Sequence, residues 1–369
     1  MNKKITSSKV LVTGGAGFIG SNLCEMLLKQ DNKVVCLDNF STGHRINIES
    51  FLSNSNFKLV EGDIRNYEDC QRAVKGVDFV LHHAAIGSVP RSIKDPITST
   101  DVNIGGFVKM LFACKEEGVK RFVYAASSST YGDYEELPKE EHKIGKALSP
   151  YAITKSVDEL FAENFSEIYG IETIGLRYFN VFGRRQDPNG DYAAVIPKFV
   201  IALMNHQSPL INGDGSFSRD FTYIENVLQA NELAALTPSE LIFERRQDYK
   251  SHFDSLIVNG KGNRINKECI SQDIIEKPLS EIFNIAFGER TTLNGLVDIL
   301  KKHLSEFDPD ISSIKVTHGP KRNGDIPHSL ASIKKARDLL GYDPEYSVNE
   351  GLKEVIDWYN KNGDLYTNR

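Results

Sequence analysis

The sequence predicts an α/β fold, a doubly wound parallel sheet (Rossmann) with a smaller mixed α/β portion toward the C-terminus. Three observations carry that expectation. A short buried strand, Lys9 to Thr13, runs straight into Gly14-Gly15-Ala16-Gly17-Phe18-Ile19-Gly20, and an amphipathic run from Ser21 to Gln30 follows. Strands and helical runs then alternate as far as Arg177, which implies right-handed crossovers between parallel neighbours. A chain of 369 residues can hold one large α/β domain and a smaller portion beside it.

Lys33 to Leu37 is the second strand and ends in Asp38; Phe57 to Glu61 is the third and leads into Gly62-Asp63-Ile64-Arg65. A short helix around Tyr67 to Val74 precedes a strand from Val77 to His82. The loop Ala84 to Arg91 opens a long helical pattern that continues to Glu117. Arg121 to Ser127 is the next strand, Pro150 to Tyr169 a helix, and Glu172 to Arg177 another strand. Beyond Asn180 the loops are rich in Gly, Pro, Arg and Asp. The division expected is therefore 1–180 as a dinucleotide-binding domain, interleaved with later strands, and 181–369 as mainly substrate-binding. Residues 237–277 stand apart between a helix (Ile224 to Leu236) and a strand (Ile282 to Ile285). They are polar, charge-rich and weakly periodic, which predicts a surface insertion, with a lid or oligomer contact as the sharper alternative.

Composition narrows the functional class. Forty per cent hydrophobic and 25 per cent charged residues are ordinary for a globular protein, and a net charge of −6 argues against a nucleic-acid partner. No run approaches the ~20 apolar residues of a membrane helix, and Met1-Asn2-Lys3-Lys4-Ile5 lacks an apolar signal core. The five cysteines are scattered without C-x-x-C spacing and read as reduced residues of a cytoplasmic protein. His82-His83 is the one adjacent histidine couple. Neighbours on a strand point to opposite faces, so no metal site is expected.

The glycine-rich turn predicts a dinucleotide. Gly14, Gly17 and Gly20 would serve the tight turn, the close backbone approach to a pyrophosphate, and helix-to-strand packing. Asp38 lies 18 residues past Gly20, near the ~20 expected of a ribose-binding carboxylate. Asn39-Phe40-Ser41-Thr42-Gly43 offers no Arg or Lys for a 2′-phosphate, so NAD is expected rather than NADP.

Tyr151-Ala152-Ile153-Thr154-Lys155 carries the chemistry. On a helix, positions four apart share a face, placing an ammonium beside a phenol. A free phenol titrates near ~10, and a neighbouring cation favours its ionised form, which suits it to general-base catalysis. Ser127-Ser128-Ser129 closes the strand that ends 24 residues before Tyr151.

Together the glycine triplet, the serine cluster and Tyr-x-x-x-Lys resemble the extended short-chain dehydrogenase/reductase superfamily. Leu176-Arg177-Tyr178-Phe179-Asn180-Val181-Phe182-Gly183 and Ser218-Arg219-Asp220-Phe221-Thr222-Tyr223-Ile224 resemble its nucleotide-sugar 4-epimerases. Gly87-Ser88-Val89-Pro90-Arg91-Ser92, Gly183-Arg184-Arg185-Gln186-Asp187-Pro188 and Ala193-Ala194-Val195-Ile196-Pro197-Lys198 look most like bacterial UDP-N-acetylglucosamine 4-epimerases of surface-polysaccharide pathways. The resemblance covers nearly the whole chain except 237–277.

What the resemblance implies is an epimerisation without net redox change. Tyr151 would take the proton of the sugar 4-hydroxyl, Lys155 would hold the nicotinamide ribose, and Ser127 would bond the reacting oxygen with Ser128 as a second donor. NAD contacts are implied for Phe18, Ile19, Asn39, Ser41, Thr42, Gly43, Asp63, Ile64 and Val181. His83 stands where relatives often carry glutamine and is an altered contact. For the UDP-sugar, Arg219 and Arg322 would grip the diphosphate beside the Asn180 amide, and Asp325 would accept from the uridine ribose. Gly87, Ala194 and Ser329, with Ser88 and Val195 near them, would leave room for a 2-acetamido group. The family also implies a homodimer packed through the helices around Ile97–Glu117 and Tyr151–Tyr169.

Rival readings differ at identifiable residues. A 4,6-dehydratase carries an Asp-Glu pair where this chain has Ser128 and Ser129, and a decarboxylase carries a glutamate in that segment. Epimerases of UDP-glucose or of UDP-N-acetylglucosaminuronic acid share the mechanism and stay open. A non-catalytic NAD-sensing protein would typically have lost the Tyr-Lys pair, which is intact here.

Overall fold

A computed structural model of the chain describes residues 4–188, 194–258, 278–320 and 326–362. The centre is a seven-stranded parallel sheet built from β1 (Lys9–Thr13), β2 (Lys33–Asp38), β3 (Phe57–Glu61), β4 (Phe79–His82), β5 (Arg121–Ser127), β6 (Glu172–Tyr178) and β11 (Ser280–Ile285). Their spatial order is β11-β6-β5-β4-β1-β2-β3. The order reverses between β1 and β4, so a crevice opens above their carboxyl ends. Apolar, mostly β-branched strands such as Val10-Leu11-Val12 are buried completely, as a sheet covered by helices on both faces requires. One apolar cluster spans Val10, Val12, Leu23, Leu176 and Phe283. A second, on the opposite side, joins Leu11, Val80, Phe107, Leu111 and Phe122.

Helix α1 (Phe18–Lys29) begins three residues earlier than its apolar periodicity suggested, because Gly20 lies inside the first turn. Helix α2 is Tyr67–Val74, capped by the Asn66 side chain on Glu68 N. The long helical pattern to Glu117 is in fact broken. It forms α3 (Val89–Lys94), α4 (Pro96–Thr100), a π-helical turn (Asp101–Gly106) and α5 (Phe107–Glu117). Pro96 disfavours helical backbone at Asp95 and has no N–H to continue the ladder. Asp95 instead caps the new helix, accepting from Thr98 N at 3.0 Å. The predicted loop ends early too, since Ser88 caps α3 by accepting from Arg91 N.

Helix α6 (Pro150–Tyr169) has textual signals at both ends that the structure obeys: Ser149 accepts from Ala152 N, Pro150 is the first helical residue, and Gly170 ends it at φ 75°. The second half supplies β7 (Val181–Phe182), α7 (Val195–Met204), β8 (Leu210–Asn212), β9 (Ser218–Arg219), β10 (Thr222–Tyr223) and α8 (Ile224–Leu236). It also returns β11 to the main sheet beside β6. Residues 237–277 open with α9 (Ser239–Val258). Ile242 is fully buried there, and Arg245 Nη1 donates to Leu339 O at 2.9 Å. Weak periodicity concealed this helix; residues 259–277 lie outside the described ones.

Candidate active site

The glycine-rich turn is shaped by backbone contacts. Gly14 sits at φ +66°, and a Cβ there would meet Ala84 N at 2.8 Å; at Gly20 it would meet Gly14 O at 2.1 Å. Gly17 is the N-cap of α1 and brings no side chain to cap it. Bare backbone N–H groups at a helix start, with no side chain over them, suit a phosphate.

Asp38 ends β2 and points back at this turn. Its carboxylate accepts from Ala16 N at 2.9 Å and Phe40 N at 2.8 Å. Burial pushes its pKa up, against those backbone bonds. A Cβ on Gly43 would lie 3.0 Å from both carboxylate oxygens, so only glycine lets the following loop close on Asp38. Asp63 is tied to Arg65 at 2.7 Å and accepts from Asn39 Nδ2 at 2.8 Å. The Arg65 bond holds its carboxyl down at about 2.

These residues line one cavity of about 420 Å³ that runs from the glycine turn to Tyr151, Lys155 and Ser127. Tyr151 opens α6, where Ser92 Oγ accepts from its backbone N at 3.0 Å. Lys155 is buried, and its Nζ donates to Ala125 O at 2.9 Å and Asp158 Oδ2 at 3.1 Å. Burial alone would depress this ammonium; Asp158 and Tyr151 outweigh it and hold the group above the ordinary lysine value.

Ser127 Oγ accepts from Ser129 N at 3.2 Å and from the Ser129 hydroxyl at 2.9 Å. Ser128, the expected second donor, opens a 3-10 turn outside the cavity lining. The tight 3-10 turn Ser128–Tyr131 folds the third serine, rather than the second, back onto the first.

Residues 10–243 match the NAD dependent epimerase/dehydratase family. The chain belongs to that family. It is similar to the UDP-N-acetylglucosamine 4-epimerase of Methanobrevibacter ruminantium, solved with UDP-N-acetylmuramic acid, at 34% identity and a TM-score of 0.80; 97% of this chain and 99% of that one are covered. A Thermotoga maritima UDP-glucose 4-epimerase with UDP-glucose superposes at 31% identity and TM-score 0.77, over 96% and 99%. The UDP-glucuronic acid 4-epimerase of Bacillus cereus, with UDP-glucuronic acid and NAD, does so at 28% and 0.75, over 96% and 99%.

NAD is the cofactor of this epimerase/dehydratase family member, and the residues present fit it. Gly14, Gly17, Phe18, Ile19, Gly20, Asp38, Asn39, Ser41, Thr42, Gly43, Asp63, Ile64, His83 and Val181 all line the cavity, as do Gly87 and Asn180. The remaining sugar-side expectations fall elsewhere. Ser88 is held at φ +101° just outside the cavity lining, capping α3. Ala194 and Val195 begin α7, beyond the cavity. Arg219 Nη1 donates to Ser218 O at 3.0 Å and Pro327 O at 3.1 Å. Ser329 approaches the cavity through Asn180, whose Nδ2 donates to Ser329 Oγ at 3.2 Å and Asp220 O at 3.0 Å. That amide is therefore already engaged by protein. Arg322 and Asp325 lie outside the described residues.

Parts of the site went unread in the sequence: Asn103, the hub role of Asp220 and the partner of His83. Asn103, buried in the π-helical turn, accepts from Ile86 N at 2.8 Å and donates to Thr154 Oγ1 at 3.1 Å, pinning the loop before Gly87 to α6. Its signal was a polar residue before Gly105-Gly106 in an apolar helical pattern. His83 Nε2 lies 2.9 Å from the Tyr178 hydroxyl, and burial pushes the imidazole down to about 4. Asp220, fully buried, accepts from Phe287 N, Gly288 N and Ala331 N, binding two later segments to its own beside Asn180. Among the described residues, no helix is long and apolar enough to cross a membrane, and no cluster of three His, Cys, Asp or Glu could hold a metal.

Proposed function

We propose that this NAD-dependent nucleotide-sugar 4-epimerase interconverts UDP-N-acetylglucosamine and UDP-N-acetylgalactosamine for surface-polysaccharide assembly. The observation that carries the reading is the convergence of Tyr151, Lys155 and Ser127 on the same cavity as the glycine turn. Open space beside Gly87, where an added Cβ would meet nothing within 4 Å, supports a sugar with a 2-acetamido group.

Tyr151 takes the proton of the sugar 4-hydroxyl and later returns it to the same oxygen. Lys155, fixed by Ala125 O and Asp158, supplies the positive field that favours the phenolate. Ser127 accepts from Ser129, which leaves its own hydroxyl hydrogen to point at the reacting oxygen. When bound, NAD supplies the hydride acceptor and donor that carry the sugar through a 4-keto stage with no net redox change. Arg219 and Arg322 bind the diphosphate beside Asn180, with Asp325 on the uridine ribose, and Ser88, Ala194, Val195 and Ser329 close around the hexose.

UDP-glucose and the UDP-uronic acids are the competing substrates. Purified holoenzyme should convert UDP-N-acetylglucosamine to its galacto epimer without added reductant, faster than UDP-glucose, UDP-glucuronic acid or UDP-N-acetylglucosaminuronic acid. Faster turnover of any of the other three would move the substrate assignment, and none at all would end it.

A homodimer is the second part of the proposal. Ile153, Val157, Leu160 and Ile168, at spacings of four, three and eight residues, fall along one face of α6, with Leu160 63% and Ile168 61% exposed. Ile93 and Ile97 (81%) extend the exposed apolar residues onto α3 and α4. Monomers rarely leave such faces to water. Light scattering should find a dimer, and Leu160→Asp with Ile168→Asp a monomer; a monomeric native protein would refute this. The buried thiols of Cys24, Cys36, Cys70 and Cys114 support a cytoplasmic setting.

A further inference from the structure

Helix α6 buries a second charged group behind Lys155, and the chemistry above uses it only as an anchor for that ammonium. Asp158 is fully shielded from solvent, with Oδ2 bonded to Lys155 Nζ at 3.1 Å. Its other oxygen, Oδ1, is buried without a hydrogen-bond partner among the described residues. A purely structural acid would be expected to satisfy both oxygens. We infer that Asp158 is a positioning residue that holds Lys155 and sets how much of its charge reaches Tyr151, and hence the pH at which Tyr151 works.

The geometry gives this carboxylate leverage. Lys155 Nζ spends one N–H on Ala125 O and one on Asp158, so its third is left for the Tyr151 side of the cavity. Neighbouring charges are otherwise committed. Glu159, next on the helix, is clamped by Arg177 of β6 at 2.8 and 2.7 Å. Tyr124 of β5 is buried and held protonated by that burial and by Glu159 and Asp158. His82 and His83, at the end of β4, are kept neutral by burial. At Asp158 itself burial pushes the carboxyl up against the pull of Lys155, while Lys155 stays an ammonium.

The inference rests on Tyr151 as the base, so its test uses a readout that needs no turnover. Asp158→Asn keeps an acceptor for Lys155 but removes the opposing charge. In the holoenzyme, the ultraviolet tyrosinate signal that Tyr151→Phe abolishes should then appear about one pH unit lower. The acid limb of kcat should move down with it, while KM and bound NAD stay as in the native enzyme. Asp158→Glu should restore the native profile, and Asp158→Ser serves if the Asn variant fails to fold. A tyrosinate signal and acid limb that do not move, whatever happens to kcat or melting temperature, would overturn the role. Absence of epimerisation in the native enzyme would instead defeat the proposed function and leave the tyrosinate comparison decisive.

Discussion

Tyr151→Phe should lower kcat for UDP-sugar epimerisation by about a thousandfold, within the range that a positioned general acid–base group contributes. The phenyl ring keeps the shape of the site and loses only the oxygen that exchanges a proton with the sugar. Its backbone bond to Ser92 Oγ and the Thr154 Oγ1 bond to its carbonyl are untouched, so α6 should start in the same place. Purified variant should therefore melt near the native temperature and retain its NAD on extraction. A variant with native turnover would show that another group moves the proton, and the role given to Lys155 would fall with it.

Gly20→Ala should have the other large effect, on cofactor retention. The new methyl would lie 2.1 Å from Gly14 O and 2.8 Å from Gly14 C and Gly15 Cα. All three are backbone atoms of the phosphate-facing turn, and none can rotate aside as a side-chain tip would. The turn must move or α1 must tilt, at a cost of about 1–3 kcal/mol for overpacking. Bound NAD, measured by absorbance after denaturation, should fall at least tenfold relative to the native protein. Full NAD content in this variant would mean that the turn does not hold the pyrophosphate.

Much of this was legible before any coordinates. The parallel sheet follows from apolar strands that tolerate burial on both faces, and α6 follows from Ser149, Pro150 and Gly170 at its ends. The cavity's cofactor side follows because the turn, Asp38 and the Tyr-Lys pair are local in sequence, with spacings set by one strand or one helical turn. What stayed hidden depends on contacts between distant segments. Asp220 gathers amides from residues 287, 288 and 331, and no local pattern marks a buried carboxylate as a hub. His83 meets Tyr178 across 95 positions. Even within one segment, three consecutive serines look alike, and only the 3-10 turn decides that Ser129 reaches Ser127. Pro96 was visible, yet the helical pattern read through to Glu117 passed over the break it imposes.

The sheet's last strand comes from very late in the chain. β11 pairs with β6 over six residues, from Ser280↔Thr173 to Ile285↔Tyr178, although about a hundred positions separate them. Until the ribosome has delivered that stretch, β6 presents an unpaired row of amides and carbonyls, the kind of edge that invites stray strands to add. Synthesis and folding of this enzyme are thus coupled: the main sheet cannot close until residues 280–285 have been made, and a clone cut ahead of Ser280 should yield an aggregation-prone torso.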